Sequence, residues 1–203
     1  MKENYDKLLK EIINNIKEKN ITPNLLLHSC CGPCSSYVIE YLNEYFNITI
    51  LYYNPNISPY EEYLKRKEEQ IKLINSIETK NKINIIDCDY DNDIYEEKIK
   101  GLEKEPEKGK RCTVCFDLRL DYTAKKAKTL NYNYFCTTLT VSPYKNSELI
   151  NKIGKEKQEK YNINWLYSDF KKNNGYKRSI ELSKKYNLYR QNYCGCVYSK
   201  RDI

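Results

Sequence analysis

The sequence predicts an α/β protein: one domain over residues 1–203, built on a mostly parallel, doubly wound sheet. Three observations carry that expectation. Short apolar runs at 25–28, 48–53, 83–87 and 134–139 alternate with stretches of helical periodicity, the pattern of strands joined by crossover helices. No internal repeat and no linker-like segment divides the chain. The first apolar run empties into Cys30-Cys31-Gly32-Pro33-Cys34 and then into a helical pattern, which puts chemistry-bearing side chains where open α/β sheets bind ligands.

The elements follow in order. Residues 5–19 set Tyr5, Leu8, Leu9, Ile12, Ile13 and Ile16 at helical spacing, so the N-terminus from Met1 reads as a polar amphipathic helix rather than a signal peptide. After the strand at 25–28 and the Cys-rich turn, Tyr37, Val38, Tyr41, Leu42 and Tyr45 share one helical face. The second strand, 48–53, stops at Asn54-Pro55. Ser58-Pro59-Tyr60-Glu61 then supplies an N-cap, a first-position proline and a capping-box glutamate for a helix to about 77. A third strand at 83–87 leads into an acidic segment, 87–93. A charged loop, 100–111, delivers Cys112 and Cys115 to the start of another helix. Strands at 134–139 and 165–167 and helices at 145–160 and 175–186 complete a Rossmann-like or HUP-like order, with a metal site expected at the C-terminal ends of the strands.

Composition narrows the function. Lys and Arg total 35 against 28 acids, a net charge of +7 that is compatible with nucleic-acid binding, although the richness in Lys, Asn, Ile and Tyr also reads as a bias toward AT-rich codons. No stretch approaches the ~20 apolar residues of a membrane span, so a cytoplasmic protein without membrane partners is expected. In a reducing compartment, clustered thiols point to metal binding or catalysis rather than to stable disulfides. Seven of the nine cysteines are clustered: Cys30, Cys31 and Cys34; Cys112 and Cys115; Cys194 and Cys196. Cys88 and Cys136 read as small buried hydrophobes.

Spacing alone weighs a structural four-cysteine zinc site and an iron–sulfur site equally, because soft thiolates suit both. Seven thiols exceed the four of one zinc, and the surplus favours a redox site or a cluster with a second metal beside it. Cys194-Gly195-Cys196 is too tight for a usual zinc half-site and suits either a strained, reducible disulfide or a pair of ligands. His28, the single histidine, is read as a hydrogen-bonded core residue in preference to a ligand. The turn after the first strand lacks the glycine-rich phosphate loop that nucleotide binding there requires.

Several stretches together resemble the QueH-type epoxyqueuosine reductases. They are His28-Ser-Cys-Cys-Gly-Pro-Cys34, Tyr53-Asn-Pro-Asn-Ile57 with Glu62, Tyr63 and Arg66, Glu105-Pro-Glu-Lys-Gly109, Arg111-Cys-Thr-Val-Cys-Phe-Asp-Leu-Arg-Leu120, Thr137-Thr-Leu-Thr-Val-Ser-Pro-Tyr-Lys145, Phe170-Lys-Lys172 and Tyr189-Arg-Gln-Asn-Tyr-Cys-Gly-Cys-Val-Tyr-Ser199. They cover most of the chain in order. The resemblance implies a cobalamin-independent cytoplasmic enzyme that removes the epoxide oxygen of epoxyqueuosine at the wobble position of tRNA to give queuosine. It implies a [4Fe–4S] cluster held by Cys30, Cys31, Cys112 and Cys115, an additional iron beside it, and Cys194 and Cys196 as a redox-active pair; Cys34, where the chain departs from the carboxylate expected in some relatives, is a candidate ligand of that second metal. No flavin or nicotinamide fingerprint is present, so an external electron donor is expected. Arg119, Lys145, Lys171, Lys172, Arg178 and Arg190 are candidate phosphate contacts, and Tyr53, Tyr144 and Tyr193 candidate stacking surfaces for bases of the anticodon loop. The alternatives are a zinc-stabilised nucleic-acid-binding module and an ATP-dependent tRNA thiolase.

Overall fold

The structure, a computed structural model, describes residues 3–200. Residues 1, 2 and 201–203, which the sequence reading includes in its single unit, lie outside the described residues. The chain runs α1 (Tyr5–Glu18), β1 (Asn24–His28), α2 (Gly32–Leu42), β2 (Asn47–Tyr52), α3 (Tyr60–Ser76), β3 (Asn84–Asp87), α4 (Asn92–Lys98), α5 (Lys110–Thr129), β4 (Tyr134–Thr137), α6 (Ser147–Tyr161), β5 (Asn164–Trp165) and α7 (Gly175–Lys185). All four strand pairings are parallel, in the order β3-β2-β1-β4-β5. The first strand is thus central, and the order reverses beside it. That is the switch point at which a crevice opens outside the strand ends.

Burial on both faces explains why the strands read as continuous apolar runs. Leu25 and Leu27 enter one core layer with Ile48, Ile50 and Cys136, whereas Leu26 enters the opposite layer with Leu51, Phe135 and Trp165. Side chains alternate between faces along a strand, so both layers are filled by consecutive residues of β1. α1 and α2 close the first layer through Leu9, Ile13, Ile16, Val38 and Ile39, and α5 and α6 close the second through Leu120, Ala124, Ile150 and Ile153. Cys136 and Cys88 are buried in these layers, as small hydrophobes.

The structure corrects three local expectations and adds a short helix. β4 stops at Thr137, because the Thr137 hydroxyl accepts the Leu139 N–H and turns residues 138–141 into a 3-10 helix. β5 is only two residues long, with Leu166 adding one more backbone bond to Phe135. Pro59, not Ser58, is the N-cap of α3, and no side chain caps it. The Ser58 N–H instead donates to the Gly195 carbonyl at 3.0 Å, tying the start of α3 to the C-terminal segment. The acidic segment ends as a cap: Asp91 accepts the Ile94 N–H and starts α4, a helix too short to show a period in the sequence. Among the described residues, no helix is long and apolar enough to cross a membrane.

Candidate metal centre

β1 ends at His28, and after three residues, Ser29 to Cys31, the chain enters α2. Cys31 is the extended N-cap residue of that helix, Pro33 lies in its first turn, and Cys34 lies one turn on from Cys30. Gly32 makes the turn fit: a Cβ there would lie 2.7 Å from the Glu69 carbonyl oxygen of α3. The sulfurs of Cys30, Cys31 and Cys34 consequently converge to within 4.8 Å of one another, with Cys30 and Cys31 at 3.8 Å. The end of β4 closes the group, Thr138 accepting the Cys30 N–H at 3.3 Å and placing its hydroxyl 3.6 Å from the Cys30 sulfur.

The three thiols share charge unequally. Hydrogen bonds from Cys31 and Cys34 hold the Cys30 thiol well below its ordinary value, and the Lys145 ammonium and Thr138 hydroxyl act in the same direction. Cys31, by bonding to Cys30, is pushed up to about 12, and Cys34 rises for the same reason. One sulfur thus gathers two neighbouring thiols around it, an arrangement in which a soft metal ion can take the place of protons. The Gln191 side chain donates to the Cys31 sulfur at 3.0 Å. His28 is no part of this donor set. Its Nε2–H donates to the Tyr53 carbonyl (3.0 Å), and its Nδ1 lies 2.8 Å from the Thr137 hydroxyl. Complete burial and the nearby Arg119 hold its pKa down to about 3, so it is a neutral core residue, as expected.

Two other segments bring their thiols to the same place. Cys112 and Cys115 lie in the first turns of α5, where the Lys108 N–H donates to the Cys112 sulfur at 3.2 Å. Cys115 is buried, which pushes its thiol up to about 12. Cys194 and Cys196 ride on the C-terminal segment. The Cys196 sulfur is 3.1 Å from the Tyr95 hydroxyl, and the Cys194 sulfur is 3.1 Å from the Ser199 hydroxyl. Tyr95, Ile99, Cys115 and Cys196 form one small buried cluster, with Cys194 packed on it. Gly195, at φ +104°, lets the segment fold against α3: a Cβ would come within 2.8 Å of Ile57 and 2.9 Å of the Arg66 guanidinium.

A cavity of about 210 Å³ joins the segments, lined by Cys30, Cys34, Cys112, Cys115, Cys194 and Cys196. Its other lining side chains include Arg66, Lys108, Arg111, Arg119, Lys145 and Arg190 against one carboxylate, Glu107. Arg66 is buried on Glu62 at 2.6 Å, and Arg111 donates to the carbonyls of Leu102, Glu103 and Glu105. Arg119, Lys145, Arg190, Tyr144 and Tyr193 therefore lie where the sequence reading expects contacts to substrate. Four other candidates lie outside the lining. The Tyr53 ring stacks on Tyr122 with centroids 3.8 Å apart, Lys171 pairs with Asp169, Arg178 pairs with Glu40 and Glu181, and Lys172 is exposed beyond the end of β5. Sequence reasoning passed over Arg111, Gln191 and Tyr95. For the buried pair on α3, the signals were the i, i+4 spacing of Glu62 and Arg66 and their place among the family-like stretches.

The donor set fits a thiolate-held centre. Three sulfurs converge tightly, four more face them across the cavity, and neither histidine nor carboxylate intrudes on the tight group. All nine cysteines are free thiols. Fold and site together define a parallel α/β protein with a thiol-rich centre able to hold a metal ion or cluster at its topological switch point. The epoxyqueuosine reductase QueH family matches residues 25–202. The chain is 44% identical to the epoxyqueuosine reductase QueH of Streptococcus pyogenes over 200 residues, 98% of this chain and 78% of that protein. It is 46% identical to the Staphylococcus epidermidis protein of the same name (97% and 84% covered) and 47% identical to that of Acinetobacter baylyi (88% and 81%). The chain belongs to the epoxyqueuosine reductase QueH family.

Proposed function

We propose that the chain is an epoxyqueuosine reductase that acts on tRNA in the cytoplasm without cobalamin. The carrying observation is the convergence of six thiols from three separate segments on one cation-lined cavity, in a chain of this family. Converting an epoxide to an alkene takes two electrons and two protons, and the oxygen leaves as water. Oxidation of Cys194 and Cys196 to a disulfide releases two electrons and two protons, the amounts required, and an external electron donor then restores the thiols. Gly195 makes a two-residue separation feasible. Cys30, Cys31, Cys112 and Cys115 are the proposed ligands of a [4Fe–4S] cluster, with Cys34 available to an additional iron. When bound, such a group supplies one-electron steps and a Lewis-acidic iron position.

Lys145, Arg190 and Tyr144 of the lining serve the substrate. Lys145 is half-buried, and burial works against its charge, but the thiol groups of Cys194, Cys30 and Cys34 more than compensate and keep it protonated. It can therefore meet an anionic or departing oxygen. Arg190 lines the same cavity, and Tyr144, 58% exposed at its mouth, offers a stacking face to an unpaired base. The test is single-turnover reduction of tRNA carrying epoxyqueuosine by anaerobically reconstituted protein with dithionite as donor. Queuosine, identified by loss of one oxygen from the modified nucleoside, is the expected product. Unchanged epoxyqueuosine with fully loaded protein would contradict the reading.

A further inference from the structure

Arg119 is placed where a permanent positive charge is unusual. It is 3% exposed, and among the described residues no carboxylate lies within ion-pair distance of it. Its Nε–H donates to the Cys115 carbonyl at 3.2 Å, an acceptor in its own helix. Its guanidinium lies 5.7 Å from the Phe116 ring centroid, and no other hydrogen bond to a described residue satisfies its two amino groups. A buried ion without a partner costs several kcal/mol, so something must balance it. The helix supplies the direction: Cys112, Cys115 and Arg119 stand at i, i+3 and i+7, on one face of α5, and that face lines the thiol cavity.

We propose that Arg119 is the fixed counter-charge of the thiol centre, a positioning residue whose charge makes that centre easier to reduce. This rests on the reading of the cavity as a thiolate-held redox site. Arginine stays protonated at any working pH, so its charge persists through a reaction cycle. On a side chain only 3% exposed, that charge is screened less than a surface charge and acts on the negative groups facing it. Burial works against the Arg119 charge, yet the thiol groups of Cys115, Cys30 and Cys194 more than offset this, one from each of the three segments. Arg119 lines the same cavity as thiols of all three segments. Net charge, hydrogen bonding and exposure are the levers by which a protein sets the potential of a thiolate-ligated cluster, and Arg119 works the first of them. Lys145, half-buried on a loop, lacks the rigid helix that holds Arg119 and is left to the substrate.

The experiment compares Arg119→Lys, Arg119→Gln and Arg119→Met in anaerobically reconstituted protein. Iron per chain and the midpoint potential are read by spectroscopic redox titration. The neutral variants are expected to keep their iron and to shift the reduction equilibrium at least tenfold toward the oxidised form, about 59 mV more negative for one electron, with the lysine variant near wild type. Iron lost from both neutral variants but kept by the lysine variant shows the same dependence on charge through retention. Wild-type potential in a loaded neutral variant would overturn the proposal, as would a lysine variant that loses iron or shifts as far as the neutral ones. A wild-type protein without redox-active iron would instead defeat the reading of the cavity itself, together with the inference built on it.

Discussion

Cys30→Ala is expected to leave less than about a tenth of wild-type iron in a protein that still folds, and to abolish epoxyqueuosine reduction. The Cys30 sulfur is the one that the hydrogen bonds of Cys31 and Cys34 reach, and they hold its pKa well below its ordinary value. Removing it deletes the strongest donor of the tight group, not one ligand among equals. The fold does not depend on it: the β1–α2 turn is held by the Ser35 N–H on the Cys31 carbonyl and by the Ser29 and Ser35 hydroxyls on Gln70. Far-ultraviolet circular dichroism should therefore match wild type while iron analysis does not. Parallel Cys34→Ala and Cys112→Ala variants sort the ligands. Loss of all iron is expected in Cys112→Ala and loss of only the additional iron in Cys34→Ala; the reverse result would place Cys34, and not Cys112, in the cluster.

Gly195→Val is expected to reduce turnover by about two orders of magnitude or more, with iron largely retained. At φ +104° a β-branched residue is strained, and its side chain would run into Ile57 and the Arg66 guanidinium. Arg66 cannot retreat, since it is buried against Glu62 and its ring contact with Tyr193 holds the same segment. The segment must then lift from α3, breaking the Ser58–Gly195 bond and carrying Cys194 and Cys196 away from Cys115. A misplacement of about 1 Å at a reacting group can cost 100-fold in rate. Rapid alkylation of Cys196, which is buried beside Tyr95 in the wild type, would report the displacement directly. Normal turnover in the folded variant would show that the Cys-Gly-Cys segment is not part of the chemistry.

Much of the scaffold was legible in the sequence because burial on both sheet faces turns strands into uninterrupted apolar runs, and β1 is the clearest case. The first cysteine cluster was legible for a related reason. A strand followed directly by Cys30, Cys31 and Cys34 leaves the chain one turn in which to place them. What was less legible depends on side-chain direction in helices. Arg66 and Arg119 sit among the charged residues of α3 and α5, where a charge reads as a solvated face, and only packing against the C-terminal segment and the thiol cavity reveals them as buried. Conversely, Lys171 and Arg178 read as cations near strand ends, yet Lys171 is matched by Asp169, two residues before it, and Arg178 by Glu40, 138 residues away, which no local pattern predicts. Tyr53 follows β2 but turns its ring onto Tyr122, a choice fixed by the partner helix.

The central claim, that the thiols of the β1–α2 turn and of α5 jointly hold an iron–sulfur centre, is tested most directly by anaerobic purification followed by iron, zinc and acid-labile sulfide analysis per chain. The account predicts about four irons or slightly more, a matching amount of sulfide, a visible sulfur-to-iron absorption band and little zinc. One zinc per chain, without sulfide and without visible absorption, would contradict it and leave the thiols as a structural clasp.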